Sequence, residues 1–299
     1  MVKNSVSKPV AIIFGASLSG KNALKTVAES FEIIAFIDNS ESKQGSVLSN
    51  IPVYAATKIP QLVFDKILIA SEFAEKIHEQ LMNEYNIDSN KIIELPNRIT
   101  KPIQFGHDEV FRQLSIQILL LICSSLNRAK AAYYVDAGTL LGIYRDGALI
   151  PWDDDLDIAV PISSLDHAKT VITNCLTELQ ILTGEPWELV THYNEKQFGA
   201  VNFGEVRGLK LKSKNIDTEL PMMDVFVKYI EGDVMDYTLA SRGFRMPSEH
   251  ILTLEIMEFE GGIINIPSQP ALYLQRHYGD WRTPREDWNM SELKNATVF

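Results

Sequence analysis

The first third of the chain alternates short apolar runs with stretches of helical spacing, and that alternation leaves few folds open. Val10-Ala11-Ile12-Ile13-Phe14 is too short for a helix and is stopped by Gly15, so it reads as a buried strand. Residues 21–30 follow with Leu24 and Val27 on one helical face. Glu32 to Asp38 is a second strand that ends in an acid. Lys66 to Ala70 and Lys91 to Leu95 are further strands, with a helix from Glu72 to Tyr85 between them. Strands that alternate with helices build a parallel sheet covered on both faces. The expected fold of this part is therefore a Rossmann-like α/β sheet.

The pattern changes after Pro96 and Pro102, which bracket the polar stretch Asn97 to Lys101. A boundary there divides the chain into a Rossmann-like, nucleotide-binding-type domain over 1–98 and a second domain over 99–299. The length of 299 residues suits two domains. A helix from about Asp108 to Lys130 carries Phe111, Leu114, Ile118, Leu121, Ile122 and Leu126. Short strands, long connections and a cluster of acids come next, an α+β pattern. The net charge of −11 argues against a nucleic-acid partner. An acidic protein that handles anionic nucleotides needs metal ions or local Arg and Lys to offset repulsion.

Cys123 and Cys175 lie in apolar, helical surroundings. They fit neither a zinc pattern nor a disulfide scaffold and read as buried, reduced thiols, in keeping with a cytosolic compartment. The first residues lack an apolar stretch, so no signal peptide is expected. The longest apolar run, Ile116 to Cys123, is interrupted by Gln117 and falls short of the ~20 residues that span a bilayer. No transmembrane segment is expected, and the protein reads as cytoplasmic, meeting a membrane only through its acceptor.

Gly15 to Asn22 can be read as a P-loop in which Asn22 replaces the Mg²⁺-binding Ser or Thr. It can also be read as a dinucleotide turn, with Gly15, Ser17 and Gly20 at the three glycine places and Asp38 at the end of the next strand, where a ribose-binding acid sits. The strand-turn-helix context suits the second reading, and either one offers a nucleotide or dinucleotide an anion site at a helix N-terminus. The plain alternative is that Gly15 and Gly20 only allow the helix to pack closely on the sheet. Ile13-Phe14-Gly15-Ala16, Ala35 to Asn39, Lys43-Gln44-Gly45 and Ile51-Pro52-Val53 resemble the Rossmann-like domains at the front of bacterial sugar-modifying and polysaccharide-assembly enzymes.

Gly138-Thr139-Leu140-Leu141-Gly142 follows a strand over Ala132 to Val135. After Ile150-Pro151-Trp152 comes Asp153-Asp154-Asp155-Leu156-Asp157-Ile158-Ala159-Val160, whose last part reads as a strand. Alternation puts Asp155 and Asp157 on one face and Leu156 and Ile158 on the other. Two like charges side by side repel, and a divalent cation removes that cost. Oxygen ligands suit Mg²⁺ or Mn²⁺. Met222 to Val227 is an apolar strand with a single Asp224, which is costly to bury without a partner. A metal shared with Asp155 and Asp157 supplies one. Asp153 and Asp154 are supporting candidates, either as helix caps or as the base for an acceptor hydroxyl. Gly138 and Thr139, at a helix start, can hold a donor phosphate. A solvated turn or a calcium loop is the plain alternative, but the Gly and distal Glu of an EF-hand are missing.

Asp136 to Ile158, with Gly138-Thr139, Gly142, Arg145, Pro151-Trp152 and the acid run, resembles the signature of the LicD phosphotransferases, which include fukutin-like proteins. The segment Leu272 to Trp281 is similar to the family's closing segment, and the resemblance covers Asp108 to Asn289. It implies a nucleotidyltransferase-like α+β fold, with Asp155, Asp157 and Asp224 as metal ligands. It further implies a transferase that moves phosphocholine or a polyol phosphate from a CDP-linked donor to a glycan, lipid-linked or not, as in capsule or lipopolysaccharide. Thr139 stands where Ser is common, and cysteines for the zinc site of some animal relatives are absent.

Other residues leave alternatives open. Arg145 can bind donor phosphate or pair with an aspartate. Lys228, on the face of Asp224, can touch phosphate or be an exposed Lys at a strand end. Arg276 and His277 can serve acceptor or phosphate, or pack a helix. His192 precedes an expected strand, Gly199 to Phe203, and has no assignment. Two other functions also fit: transfer of NMP from an NTP to a sugar phosphate or protein, and a nucleotide-sensing or scaffold protein of a polysaccharide cluster. A homo-oligomer is compatible with the sequence.

Overall fold

The computed structural model describes residues 8–71, 73–100, 103–215, 218–240, 242–286, 292–293 and 295–298. The N-terminal residues 1–7, the expected helix start at Glu72, the boundary residues Lys101 and Pro102, and Asn289 lie outside them. The chain forms two compact units, Met1–Pro102 and Ile103–Phe299.

In the first unit β1 (Val10–Phe14), α1 (Leu18–Val27), β2 (Glu32–Ile37), β3 (Val47–Leu48), β4 (Ile51–Tyr54), β5 (Lys66–Ile69), α2 (Ala74–Asn83), β6 (Ile92–Glu94) and α3 (Asn97–Thr100) follow in order. The sheet order is β3-β4-β2-β1-β5-β6. Its pairings are parallel, except that β3 returns antiparallel on β4. Because alternate residues of a strand face opposite sides, the apolar runs supply two cores. Ile12, Phe14, Ile37, Ile67 and Ile69 pack with Ile77 and Leu81 of α2. Ala11, Ile13, Phe36 and Leu68 pack with Ala23 and Val27 of α1. Strands buried on both sides are what continuous apolar runs require, and this unit is Rossmann-like in its strand order.

The second unit opens with α4 (Glu109–Ala129). Asp108 caps it by accepting from the N–H groups of Val110 and Phe111 at 2.8 and 3.1 Å, and Lys130 ends it in the left-handed conformation. β7 (Tyr134–Val135), α5 (Ala137–Asp146), β8 (Asp155–Pro161), α6 (Leu165–Asn174), α7 (Leu176–Thr183), β9 (Trp187–Tyr193) and β10 (Val206–Ser213) come next. They are followed by β11 (Met222–Glu231), β12 (Val234–Leu239), β13 (Arg242–Pro247), α8 (Glu249–Leu252), β14 (Leu254–Phe259), β15 (Gly262–Pro267), α9 (Pro270–Tyr278) and β16 (Ala296–Val298). Among the described residues these strands form an eight-stranded sheet, ordered β16-β13-β12-β11-β10-β9, with β8 pairing β11 and β7, and a separate β14-β15 hairpin. The β8–β11 pair is parallel, and the neighbouring pairs are antiparallel. One sheet face, with Leu156, Ile158, Leu209, Leu211, Met223 and Val225, packs in a single core with Ile118, Leu119, Ile122 and Leu126 of α4.

Two expectations change here. Helix α4 runs for 21 residues and is long and apolar enough, by length and composition, to cross a bilayer, which the interrupted run Ile116 to Cys123 does not suggest. Its apolar stripe is buried in the core, so it behaves as a core helix. Gly199 to Phe203 forms no strand beyond an isolated bridge between Phe198 and Val201. Gly199 has a positive φ of +53°, and a Cβ there would collide with the Asp236 carboxylate. That carboxylate takes the Ala200 N–H at 2.9 Å and pins the turn.

His277 on α9 is buried, with its ring centroid 5.8 Å from Phe244 and 4.6 Å from Tyr278. Burial lowers its pKa to about 4, against a raising effect from Asp136. A depressed histidine pKa contributes stability that is complete above the unfolded value near 6.5 and is lost as pH falls toward 4, up to roughly 3 kcal/mol. The urea midpoint of the parent is expected to fall more steeply between pH 7 and pH 4.5 than that of His277→Leu. Parallel curves would remove His277 as a source of the acid sensitivity.

Candidate active site

Strand β7 delivers the chain to Asp136, and α5 starts directly after it. Ala137 adopts a positive φ of 44°, a conformation rarely held by residues other than glycine. The turn is tied to β8 at three points. The Asp136 N–H donates to the Asp157 carbonyl at 3.1 Å. The Asp157 N–H donates to Thr139 Oγ1 at 2.7 Å. The Thr139 N–H donates to Asp157 Oδ2 at 3.3 Å. A Cβ on Gly138 would lie 2.5 Å from Asp153 Oδ2 and 3.4 Å from Asp157 Oδ2. Glycine therefore lets two carboxylates approach the first turn of a helix, where the macrodipole favours negative charge.

The acids converge. Oxygen atoms of Asp153, Asp154 and Asp155 lie within 4.8 Å of one another. In the parallel register Asp224 stands beside Asp157, and Met222 beside Asp155. Asp157 is buried. Its carboxyl is held well above the usual carboxylate range, first by burial and then by the charges of Asp155, Asp153, Asp224 and Asp136. The donor set is all oxygen, the type that hard divalent cations take. Among the described residues the carboxylates close enough to share one ion are Asp153, Asp154 and Asp155, not the expected set of Asp155, Asp157 and Asp224; Asp157 and Asp224 stand beside each other on neighbouring strands. On the neighbouring strand β10, Lys210 lies 3.2 Å from Asp224.

Lys228 departs from both of its readings, phosphate contact and exposed strand end. It is fully buried, with Nζ 2.8 Å from Asp136 Oδ2 and 3.1 Å above the Tyr237 ring. Tyr273 donates its hydroxyl to the other oxygen of Asp136 at 2.6 Å. Burial pushes the Asp136 pKa up, but Lys228 and Tyr273 outweigh it and hold the carboxyl below its ordinary value. Sequence reasoning gave Asp136 and Tyr273 no role. The signal available was an acid placed between an apolar strand and Gly138.

Arg145 points elsewhere than the acid cluster: it pairs with Asp146 at 2.7 Å and donates to the Trp281 carbonyl at 3.3 Å. Its aspartate partner is thus a chain neighbour. Arg276 pairs with Glu249 at 3.2 Å and contacts His250 Nε2 at 3.0 Å, so it fastens α9 to α8. Cys123 and Cys175 are free and buried, and burial pushes the Cys123 thiol up to about 12, far from a nucleophile's range.

In the first unit, Gly15, Gly20 and Asp38 meet around one turn. A Cβ on Gly15 would strike the Ala70 carbonyl, and one on Gly20 the Gly15 carbonyl. Asp38 accepts from the Ala16 N–H at 2.8 Å, the Ser40 N–H at 2.9 Å and Lys43 Nζ at 2.9 Å. Ser17 precedes α1 without a side-chain capping bond. Close packing accounts for both glycines, and the turn itself engages the Asp38 carboxylate.

Residues 130–269 match the family described as LicD/FKTN/FKRP, nucleotidyltransferase domain. The second unit is similar to the LicD family over these residues. The match takes in every residue of the acid cluster, together with Gly138, Thr139, Lys210 and Lys228. Residues 7–93, ahead of the LicD domain, match the family described as C2185-like, N-terminal. Among curated relatives, Ribitol-5-phosphate transferase FKTN of Homo sapiens is 27% identical over 186 residues, covering 60% of this chain and 35% of that protein. The Mus musculus protein of that name is 25% identical over 187 residues, covering 60% of this chain and 36% of its own length. The chain thus spans about a third of the length of these relatives. Solved structures align weakly. ANT(2")-Ia with adenylyl-2"-tobramycin aligns at a TM-score of 0.32 and 13% identity, over 60% of this chain and 82% of that one. UDP-D-Quinovosamine 4-Dehydrogenase from Vibrio fischeri aligns at 0.26 and 18%, over 30% and 80%.

Removing one partner of a buried ion pair strands the other charge, at a cost of about 3–5 kcal/mol. Lys228→Met is therefore expected to destabilise the second unit by that order in urea unfolding, and adding Asp136→Asn to recover a large part of the loss. Additive losses in the double variant would contradict the pairing.

Proposed function

We propose that this chain is a divalent-cation-dependent transferase that moves a phosphate-linked group, a polyol phosphate or phosphocholine, from a CDP-linked donor to a hydroxyl of a glycan. The observation that supports the reading is the parallel register that sets Asp224 beside Asp157, with Asp157 held at the first turn of α5 and the charges of Asp155, Asp153 and Asp224 acting on it. The relatives' name, ribitol-5-phosphate transferase, supports the transferred class. A nucleotidyltransferase-like fold for the second unit belongs to the same proposal, supported by the family's description and by the acid-bearing parallel pair.

Asp155, Asp157 and Asp224 would hold Mg²⁺ or Mn²⁺. When bound, the cation neutralises the donor diphosphate and the charge that develops during transfer. Thr139 and the start of α5 fix Asp157, and Gly138 leaves room for Asp153. In the reaction the acceptor oxygen attacks the phosphorus that carries the transferred group. The bond from that phosphorus to the bridging oxygen breaks, and CMP leaves with the bonding pair. The acceptor proton passes to a carboxylate, for which Asp153 or Asp154 is placed beside the ligand set. A cytoplasmic setting and a lipid-linked acceptor are part of this reading. The first unit enters it only as a neighbouring domain.

Asp155→Asn and Asp157→Asn are expected to cut turnover of CDP-ribitol, CDP-glycerol or CDP-choline by more than about 10³-fold while the fold survives. Release of CMP identifies group transfer; pyrophosphate released from an NTP would instead indicate nucleotidyl transfer. Retained turnover in both variants would overturn the assignment.

Asp157 also sets a pH dependence. A carboxyl raised in the folded state contributes stability below the unfolded value, which is lost as pH rises through the raised one. Cation-free protein is expected to lose stability as pH rises through that range. Added Mg²⁺ should restore it in the parent but not in Asp157→Asn. A thermal midpoint that ignores Mg²⁺ in the parent would argue against the site.

A further inference from the structure

The face that bears the acids also bears a column of lysines. Along β10, Lys210 lies beside Asp224 of β11 and beside Val190 of β9. Lys212, two residues on, lies beside Glu188 and on the same face. Asp155, Met222, Asp224, Lys210, Lys212, Glu188 and Val190 are all partly exposed. The alternate residues Leu156, Met223, Leu209 and Leu211 are buried in the core. The sheet therefore presents one open face, with carboxylates on β8 and β11 and ammonium groups on β10. Strands lie about 4.8 Å apart, so the lysine column begins one strand from Asp224 and two from Asp155 and Asp157.

A diphosphate that approaches these carboxylates needs positive charge beyond the cation. The other basic candidates are committed. Lys228 is sealed against Asp136, Arg145 is held by Asp146 and the Trp281 carbonyl, and Arg276 is held by Glu249. Lys210 and Lys212 differ in position, because they stand on the strand that borders Asp224, whereas Arg276 is fastened between α9 and α8. Their side chains are 26% and 39% exposed, paired with Asp224 at 3.2 Å and Glu188 at 3.3 Å. Partly solvated pairs contribute little net stability, so exchanging a partner costs little, whereas breaking a buried pair costs much.

We propose that Lys210 and Lys212 bind the diphosphate of the nucleotide-linked donor, and that Lys210 exchanges Asp224 for a phosphate oxygen when a divalent cation takes Asp224. The proposal rests on the transferase reading above. It makes Lys210 a built-in counter-ion: it neutralises Asp224 before loading and contacts the donor after it. Lys212 contributes only to the donor side.

The test is calorimetry on the full chain without acceptor, titrating Mg²⁺ alone and then CDP-ribitol in the presence of Mg²⁺. Lys210→Met removes a charge that competes with the cation, so Mg²⁺ is expected to bind several-fold more tightly. Lys210→Met and Lys212→Met are each expected to weaken CDP-ribitol about tenfold through loss of a charge-assisted contact, with Lys→Arg restoring most of it. Lys212→Met should leave Mg²⁺ affinity unchanged. A merely structural role would shift thermal midpoints without this split between the two ligands. Donor affinity equal to the parent's in both Met variants would overturn the diphosphate assignment, and unchanged Mg²⁺ affinity in Lys210→Met would overturn the exchange. If the parent binds Mg²⁺ but none of CDP-ribitol, CDP-glycerol and CDP-choline, the donor reading fails, and the Mg²⁺ titration of Lys210→Met still decides the exchange.

Discussion

Repulsion among carboxylates is the constraint around which the second unit is built. Asp157 is buried, and Asp155, Asp153, Asp224 and Asp136 all act on it with the same sign. Such a group ordinarily accepts a proton or gains a cation. The scaffold resists the alternative, which is to spread apart. Parallel pairing sets Asp224 beside Asp157, and the reciprocal bonds between Thr139 and Asp157 lock the strand to the helix. Hydrogen bonds of the backbone thus hold in place what the side chains push apart.

A second charge centre lies on the same strand faces and works in the opposite way. From Asp224 through Phe226 to Lys228, one side of β11 passes from partly open to sealed. At its closed end Lys228, Asp136 and Tyr273 satisfy one another beneath the Tyr237 ring. Asp136 is also the residue from which α5 departs. A buried ion pair therefore anchors the turn whose other side supports the acid cluster. Asp136 and Asp157 differ in their surroundings: Asp136 is paired with a buried lysine, whereas Asp157 feels the charges of four other carboxylates.

Much of the fold was legible because it depends on local pattern. Val10–Phe14 is a strand at the limits its apolar run suggests, and the spacing from Phe111 to Leu126 marks the buried stripe of α4. Alternation likewise put Asp155 and Asp157 on one face of β8. What could not be read depends on distant packing. Lys228 has the sequence environment of an exposed strand end, and only the cover of Tyr237 and Tyr273 makes it a buried partner. Arg145 sits within the motif, yet the last turn of α5 gives it Asp146 and a carbonyl of Trp281. Gly199 invites a strand, but the Asp236 carboxylate that bends it away lies on β12. The lysines of β10 were visible as letters. They gained meaning only from the register that sets Lys210 against Asp224.

That parallel register also governs when the site can come into being. β8 and β11 are neighbours in space, but α6, α7, β9 and β10 are threaded between them in the chain. A parallel pair cannot close through a tight turn. Contacts so distant in sequence form late, because the entropy of the intervening chain must be surrendered first. Asp153, Asp154 and Asp155 are neighbours in the chain, but Asp224 reaches Asp157 only through this pairing. A cation shared by Asp157 and Asp224, as proposed, would therefore join only a sheet that is already assembled.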